Sequence, residues 1–377
     1  MRKIKTRTLV PLLILMTLLL AALLVFQGHW SKTGFVTSKQ ADADPAAPVV
    51  SAETAILLEA HSGRILYKKR GGQKMFPAST TKVMTALLAV EAGEFDHMVK
   101  VSASAATQEG SSIYLTPGER VSRGDLIYGL MLRSGNDAAM ALAEDLSGSK
   151  EAFAARMNQR AAELGAKNTS FLNPSGLHDQ EHYTTARDLA LISREAMKNQ
   201  NFRTVVGARS YVAAREPGAY NYFYNKNKVL YQYEGGTGIK IGYTRVAGRC
   251  LVASSKREGM ELICVVLNAP GWFHDTYALM DYGYRSYQLE HIARAEQPLK
   301  KVRVPGSSRF VAIGPKEAAV CPVDRGEEGD SQISVSYRLD PLQSGPVQRW
   351  QRAGVLQISY KGQLIYEEPL YFLEDAE

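Results

Sequence analysis

A serine three residues ahead of a lysine, in Pro77-Ala78-Ser79-Thr80-Thr81-Lys82, is the first candidate for covalent chemistry in this chain. Positions i and i+3 share one face of a helix, so the two side chains meet on its first turn. Behind them Val83, Met84, Ala86, Leu87, Leu88 and Val90 are apolar on nearly all sides, which predicts a helix over 80–92 buried at the centre of its domain. A serine hydroxyl is a poor nucleophile until its proton is removed, and a lysine removes it only where burial and neighbouring charge lower its pKa. The buried helix supplies those surroundings. Its N-terminal amides favour negative charge on the alkoxide and, through the Ser79 amide, on an oxyanion. Ser79 and Lys82 therefore read as nucleophile and base.

Ser147-Gly148-Ser149-Lys150 has the same spelling, yet it opens a polar amphipathic helix with no buried run behind it and reads as structural. Two other elements add chemistry. Ser134-Gly135-Asn136 falls in the tight link between two helices, where a hydroxyl and an amide can point into a cleft. Lys240-Ile241-Gly242 lies on the first strand after the helical block, where a lysine can bind a carboxylate and a glycine lets a substrate backbone lie against the strand.

The elements that must position these groups follow from periodicity. Strand-like runs at 55–59 and 65–67, joined by His61-Ser62-Gly63, form a hairpin. Helices are predicted over 125–132, 137–146, 150–164 and 187–198, the last opened by Thr185 with Asp188 in a capping-box pattern. Strands return at 239–243, 251–255 and 262–267, and a helix over 274–287 closes the domain. Strands, then helices, then strands suit an α+β fold whose antiparallel sheet takes strands from both ends of the domain. Short strands at 302–304, 334–337, 355–360 and 364–366 predict a small C-terminal β domain. The expected division is 1–28 signal or anchor, 29–50 tether, 51–290 catalytic domain and 291–377 β-rich domain.

The order Ser79-x-x-Lys82, Ser134-x-Asn136, Lys240-x-Gly242 resembles that of the penicillin-recognising serine enzymes. The segments Gly110-Ser-Ser-Ile-Tyr-Leu115, Leu132-Arg-Ser-Gly-Asn-Asp-Ala138, Asn173-Pro-Ser-Gly-Leu177 and His182-Tyr-Thr-Thr-Ala186 look like those of the low-molecular-mass D-alanyl-D-alanine carboxypeptidases of bacterial peptidoglycan. The resemblance is strong from Ala52 to Tyr287 and weak in the β domain. It implies the DD-peptidase fold, stem peptides of peptidoglycan as substrate, and β-lactams as covalent inhibitors. It also implies roles. Ser79 attacks the carbonyl between the last two D-alanines, Lys82 takes its proton, Ser134 relays protons and Asn136 holds the substrate amide. Lys240 attracts the terminal carboxylate, Gly242 lets the substrate approach, the amides of Ser79 and Tyr243 form the oxyanion hole, and Arg285 is a further carboxylate contact. One departure stands out. Ile241 replaces the usual Thr or Ser, whose hydroxyl donates a charge-assisted hydrogen bond of about 1.5 to 3 kcal/mol to that carboxylate. Thr237, Thr244 and Arg285 are candidates to compensate. A weakly catalytic penicillin- or peptidoglycan-binding module is the alternative this departure motivates. A β-lactamase is disfavoured, because class A enzymes carry Asp where this chain has Gly135.

Composition excludes other classes. Among 377 residues, 45% are hydrophobic and 22% charged, which suits a large folded domain plus a smaller one. The net charge is +7, and Arg2, Lys3, Lys5 and Arg7 carry four of those charges. Without a downstream basic stripe interleaved with aromatics, no nucleic-acid partner is expected. The basic start runs into an apolar stretch at 9–26, an export signal or a membrane anchor that places the remainder on the extracytoplasmic face, or in the medium if the signal is cleaved. Ala41-Asp42-Ala43 lies far from that stretch for a cleavage site, which favours an uncleaved anchor. Lys32-Thr33-Gly34 precedes the nucleophile and reads as chance. Cys250, Cys264 and Cys321 are expected as buried free thiols, His182 as structural, and 327–330 as a solvated turn. The seven histidines form no ligand pattern, so neither a metal nor another cofactor is expected.

Overall fold

The structure, a computed structural model, describes residues 47–304, 308–326, 332–341 and 345–376. The apolar segment, most of the tether with Lys32-Thr33-Gly34 and Ala41-Asp42-Ala43, and the 327–330 turn lie outside the described residues. No helix among the described residues is long and apolar enough to cross a membrane.

The chain opens with the hairpin β1 (Thr54–Glu59) and β2 (Ile65–Lys69). A 3-10 turn, Ala78–Thr81, leads into α1 (Lys82–Ala92), in which every residue from Lys82 to Val90 is buried, as its apolar run requires. A ribbon of β3 (Met98–Lys100) and β4 (Arg120–Ser122) encloses the short α2 (Ala103–Ala106). The helix expected over 125–132 is split. α3 (Arg123–Tyr128) passes into a wider π turn, Gly129–Arg133, that ends in Ser134. Then come α4 (Asn136–Ser147), α5 (Lys150–Glu163), α6 (Ala186–Lys198) and α7 (Gln200–Gly207). Ser149 caps α5, the structural role expected of it, and Thr185 caps α6 by accepting from the Asp188 amide. A second ribbon, β5 (Ser210–Val212) with β6 (Tyr222–Tyr224), and a turn of helix α8 (Val229–Gln232) precede β7 (Gly236–Thr244), β8 (Gly248–Arg257) and β9 (Met260–Leu267). α9 (Trp272–Ser286) follows.

The main sheet is antiparallel in the order β2-β1-β9-β8-β7, so strands from both ends of the domain share it and β7 is an edge. Side chains alternate across it with period two. Ile56, Leu58, Val252 and Val265 join Val83, Leu87, Leu130 and Leu142 in the core beneath the helical block. Leu57, Leu251, Cys264 and Val266 join Leu279 and Met280 of α9 on the other face. This alternation separates two cysteines that hairpin proximity alone would pair. Cys250 belongs to the first face and Cys264 to the second, and both are free and buried, as is Cys321.

The C-terminal part holds more strands than the pattern predicted. β10 (Tyr287–Ala293) pairs along its length with β13 (Ala319–Asp324), and it straddles the boundary expected at 290/291. The larger sheet runs β11 (Lys300–Arg303), β12 (Phe310–Pro315), β16 (Gln363–Phe372), β15 (Arg352–Tyr360), β14 (Ile333–Leu339). The turn between β1 and β2 grips this part. The Arg64 guanidinium lies 5.2 Å from the Tyr287 ring and 4.8 Å from the Tyr360 ring, donates to the Pro322 carbonyl and sits 3.3 Å from Asp324. His61 Nε2 is 3.2 Å from the Glu368 carboxylate. Burial opposes charge on His61, but the hydrogen bond and charge of Glu368, with help from Glu59, hold its pKa above the ordinary value.

Candidate active site

Ser79 sits in the 3-10 turn just ahead of α1. Its predecessor Ala78 has φ +49°, a left-handed conformation costly for a residue with a Cβ, and the Thr80 hydroxyl closes the turn onto the Pro77 carbonyl at 2.6 Å. Lys82 Nζ lies 3.1 Å from Ser79 Oγ, 2.8 Å from Asn136 Oδ1 and 2.6 Å from the Ser175 carbonyl. Burial lowers the Lys82 pKa far below the usual lysine value, and the charges of Lys240 and Lys226 add to this against opposition from Asp137. A neutral amine has two N–H donors and one lone pair. The Asn136 and Ser175 oxygens only accept, so they take both donors, and the lone pair is left facing the Ser79 hydroxyl.

Ser134 ends the π turn in the left-handed conformation at φ +66°, and Asn136 starts α4 immediately after the intervening Gly135. The Asn136 side chain is fixed from both ends. Its Nδ2 donates to the Glu109 carbonyl at 2.6 Å while its oxygen takes the Lys82 amine. The adjoining Asp137 carboxylate ties down the preceding loop, accepting from the Ser112 hydroxyl at 2.5 Å and from the Ile113 and Leu115 amides.

The Asn173–Leu177 stretch forms the other wall. Thr85 Oγ1 donates to the Pro174 carbonyl at 2.6 Å, and Gly176 packs so tightly that a Cβ would come within 1.9 Å of the Ala78 carbonyl oxygen. His182 fastens this stretch to the turn that carries Ser79. The Leu172 amide donates to its Nδ1 at 3.1 Å, which puts the ring proton on Nε2, 2.8 Å from Thr81 Oγ1. Burial pulls the His182 pKa down to about 4, so the ring is neutral and structural, as expected.

Edge strand β7 closes the cleft. A Cβ on Gly242 would stand 2.9 Å from the Ser79 amide nitrogen and 3.0 Å from that of Thr80, so only glycine lets the strand lie against the turn. Lys240 is buried, and desolvation first and Lys226 second bring its pKa down to about 7. Its ammonium donates to the Ile241 carbonyl at 3.0 Å. Tyr243, 64% exposed, stands at the lip.

Ser79 with Lys82, Ser134 with Asn136, and Lys240 with Gly242 and Tyr243 thus come from three stretches of chain that the fold brings side by side. Arg285 does not join them. It is exposed in the last turn of α9, which packs on the opposite sheet face, and its neighbour Tyr284 bonds Ser255, the partner of Gly236 at the far end of β7. Ile241 also points to that face and packs against the α9 cluster. The other suggested substitutes have different partners: the Thr237 hydroxyl bonds Ser254 and Thr244 accepts from the Ala247 amide. Lys226, whose field reaches both Lys82 and Lys240, carried no motif signal. Its amide donates to the Leu132 carbonyl at 3.3 Å, which brings it beside the Ser134 turn.

Residues 40–271 match the sequence family described as D-alanyl-D-alanine carboxypeptidase. This chain belongs to the D-alanyl-D-alanine carboxypeptidase family. Its residues 287–377 match the family described as penicillin-binding protein 5, C-terminal domain. Among curated relatives, the D-alanyl-D-alanine carboxypeptidase DacF of Bacillus subtilis is 33% identical over 333 residues, covering 86% of this chain and 85% of its own. DacC of Escherichia coli is 31% identical over 361 residues, covering 90% and 88%. A solved structure of penicillin binding protein 5 from Haemophilus influenzae superposes with TM-score 0.71 at 28% identity, over 89% of this chain and 100% of that one. The carboxypeptidase of Mycobacterium tuberculosis does so with TM-score 0.61 at 30% identity, over 66% and 96%. The fold is therefore the DD-peptidase fold of this carboxypeptidase family, with the C-terminal β domain of its penicillin-binding members.

Proposed function

We propose that Ser79 is the nucleophile of a serine-type D-alanyl-D-alanine carboxypeptidase that removes the terminal D-alanine from peptidoglycan stem peptides. The observation that carries this reading is the buried Lys82 amine, 3.1 Å from Ser79 Oγ and held by the Asn136 and Ser175 oxygens, whose pKa burial first and the charge of Lys240 second push well below the usual lysine value. Lys82 takes the hydroxyl proton as Oγ attacks the carbonyl between the two D-alanines. The Ser79 and Tyr243 amides receive the oxyanion. As the tetrahedral species collapses, the C–N bond breaks, and the leaving amine takes a proton relayed from Lys82 through Ser134. Water then attacks the ester, giving up a proton to Lys82, and the acyl C–Oγ bond breaks as Ser79 Oγ takes that proton back. Asn136 orients the substrate amide, Gly242 lets the peptide lie against β7, and Lys240, with Lys226 close by, attracts the terminal carboxylate. Penicillins acylate Ser79 by the same attack and block it.

The apolar stretch at 9–26 supports an extracytoplasmic location, as a retained anchor or a cleaved export signal, and removal of D-alanine from stem peptides there would serve cell-wall maintenance and cell shape. Residues 51–290 would act as the catalytic unit and the β domain as an appended one.

Intact-mass spectrometry tests this. The chain incubated with a penicillin gains one penicilloyl group on Ser79, and a peptide ending in D-Ala-D-Ala loses one D-alanine. Absence of both, with Ser79→Ala behaving like wild type, overturns the assignment. An adduct without D-alanine release favours the weakly catalytic binding module, for which Ile241 is the motivating residue.

A further inference from the structure

The ribbon of β5 and β6 flanks the cleft, and its two faces differ. One is anchored: Phe223 is fully buried, and Tyr211 stacks on Tyr128 at 3.6 Å and donates its hydroxyl to Asp125 at 2.8 Å. The other should be polar by ordinary strand alternation, yet it exposes Val212 (68%), Tyr222 (56%) and Tyr224 (47%). The Tyr224 ring is held in place. Tyr224 stacks on Tyr231 with centroids 5.2 Å apart and planes 15° off parallel, and the Tyr231 hydroxyl donates to the Arg209 carbonyl at 2.7 Å. The Arg209 guanidinium lies 5.5 Å from the Tyr231 ring.

This surface is continuous with the cleft. Arg133, the residue before Ser134, donates to the Tyr224 carbonyl at 3.2 Å and lies 5.4 Å from the Tyr220 ring, and its Nε is buried without a hydrogen-bond partner among the described residues. Tyr220 in turn meets the exposed Tyr114 edge to face at 5.8 Å, on the loop that holds Asn136.

We propose that the exposed face of this ribbon, Tyr222 and Tyr224 with Tyr231 and Arg209, is a stacking ledge for the amino-sugar backbone that bears the stem peptide. The proposal rests on the reading that stem peptides enter the cleft. A peptide seated with its C-terminus at Ser79 is joined at its other end to a pyranose ring, and that ring must lie on a surface flanking the cleft. A pyranose presents C–H groups on its flat faces, which suit the negative face of a tyrosine ring, while its hydroxyls and N-acetyl carbonyls suit arginine donors. Exposed aromatic faces, one of them fixed by the stack of Tyr224 on Tyr231, receive a ring that stacks, not a side chain that inserts.

The test uses the full-length chain and peptide-free glycan oligomers of alternating N-acetylated amino sugars. Wild type should bind them, and Tyr222→Ala/Tyr224→Ala should bind about fivefold or more weakly, whereas Tyr222→Phe/Tyr224→Phe keeps the faces and should bind within about twofold of wild type. In turnover, the double alanine variant should lose about fivefold in kcat/KM on glycan-linked stem peptides relative to its change on a free peptide. Penicilloylation at the wild-type rate shows that the variant is folded. Failure of wild type to bind the oligomers, or equal binding by the alanine variant, overturns the ledge. Glycan binding that persists in a chain without acylation or D-alanine release would instead overturn the carboxypeptidase reading and leave the ledge standing.

Discussion

The cleft around Lys82 and the junction around Arg64 both bury charged side chains close to the same sheet, and they treat that charge in opposite ways. At the junction every group has a complement. Glu59 accepts from the His61 and Ser62 amides and the Ser62 hydroxyl, Arg194 donates to the Ala60 and His61 carbonyls, and Arg64 is held by a carbonyl, a carboxylate and two rings. In the cleft, Lys240 and Lys226 both act on Lys82, Lys226 acts on Lys240, and the hydrogen bonds of Lys82 and Lys240 go to uncharged oxygens. Asp137, the nearby acid, is occupied by loop donors. Satisfied charge fixes how two parts of a chain are joined, whereas unsatisfied like charge is a standing demand for a proton acceptor's role and for an anion.

The sharpest way to break this contrast is Lys82→Ala, expected to slow penicilloylation by on the order of 10³-fold, read by intact mass against time. Next is Lys240→Met, which should lower kcat/KM for a carboxylate-ended peptide by about one to two powers of ten and raise Tm, because an unpaired buried cation has gone. Arg64→Ala is the mirror experiment: denaturant titration should show a loss of roughly 2 kcal/mol, with acylation unchanged. Ile241→Thr places its hydroxyl on the α9 face of β7, away from Ser79, so stopped-flow acylation should stay within about twofold of wild type; a rise of about tenfold would mean that this side chain reaches the cleft after all. The subtlest effect concerns pH. Lys240 must be charged to attract the carboxylate, so kcat/KM should fall as pH rises through its pKa of about 7. Lys226→Ala removes a neighbour that disfavours that charge, so the alkaline limb should move to higher pH.

What could be read from sequence was what local pattern carries. The buried run behind Ser79, the period-two strands and the Thr185 cap each appear where the pattern put them. The π turn at Gly129–Arg133 escaped because one extra residue per turn leaves the apolar content of 125–132 unchanged. Lys226 escaped because its influence on Lys240 is made by folding, not by spacing. Arg285 was misplaced for the converse reason. A helix position says nothing about which sheet face the helix will cover, and the apolar stripe of α9 fits the face away from Ser79. In the β domain, Pro322 inside β13 and Pro315 at the end of β12 hid two strands behind breaker residues.

The pairing of β1 with β9 also sets the order in which the molecule comes into being. Leu57 lies opposite Cys264, so a strand made early waits for one about 200 residues later. β7, which closes the cleft over Ser79, hangs on β8, and β8 on β9. A nascent chain that has not yet emerged past Leu267 holds Ser79, Lys82 and Asn136 but has no sheet to bring them against Lys240. Synthesis can therefore proceed with Ser79 and Lys82 present but apart from Lys240, and the site is complete only late, when the last strand of this sheet docks.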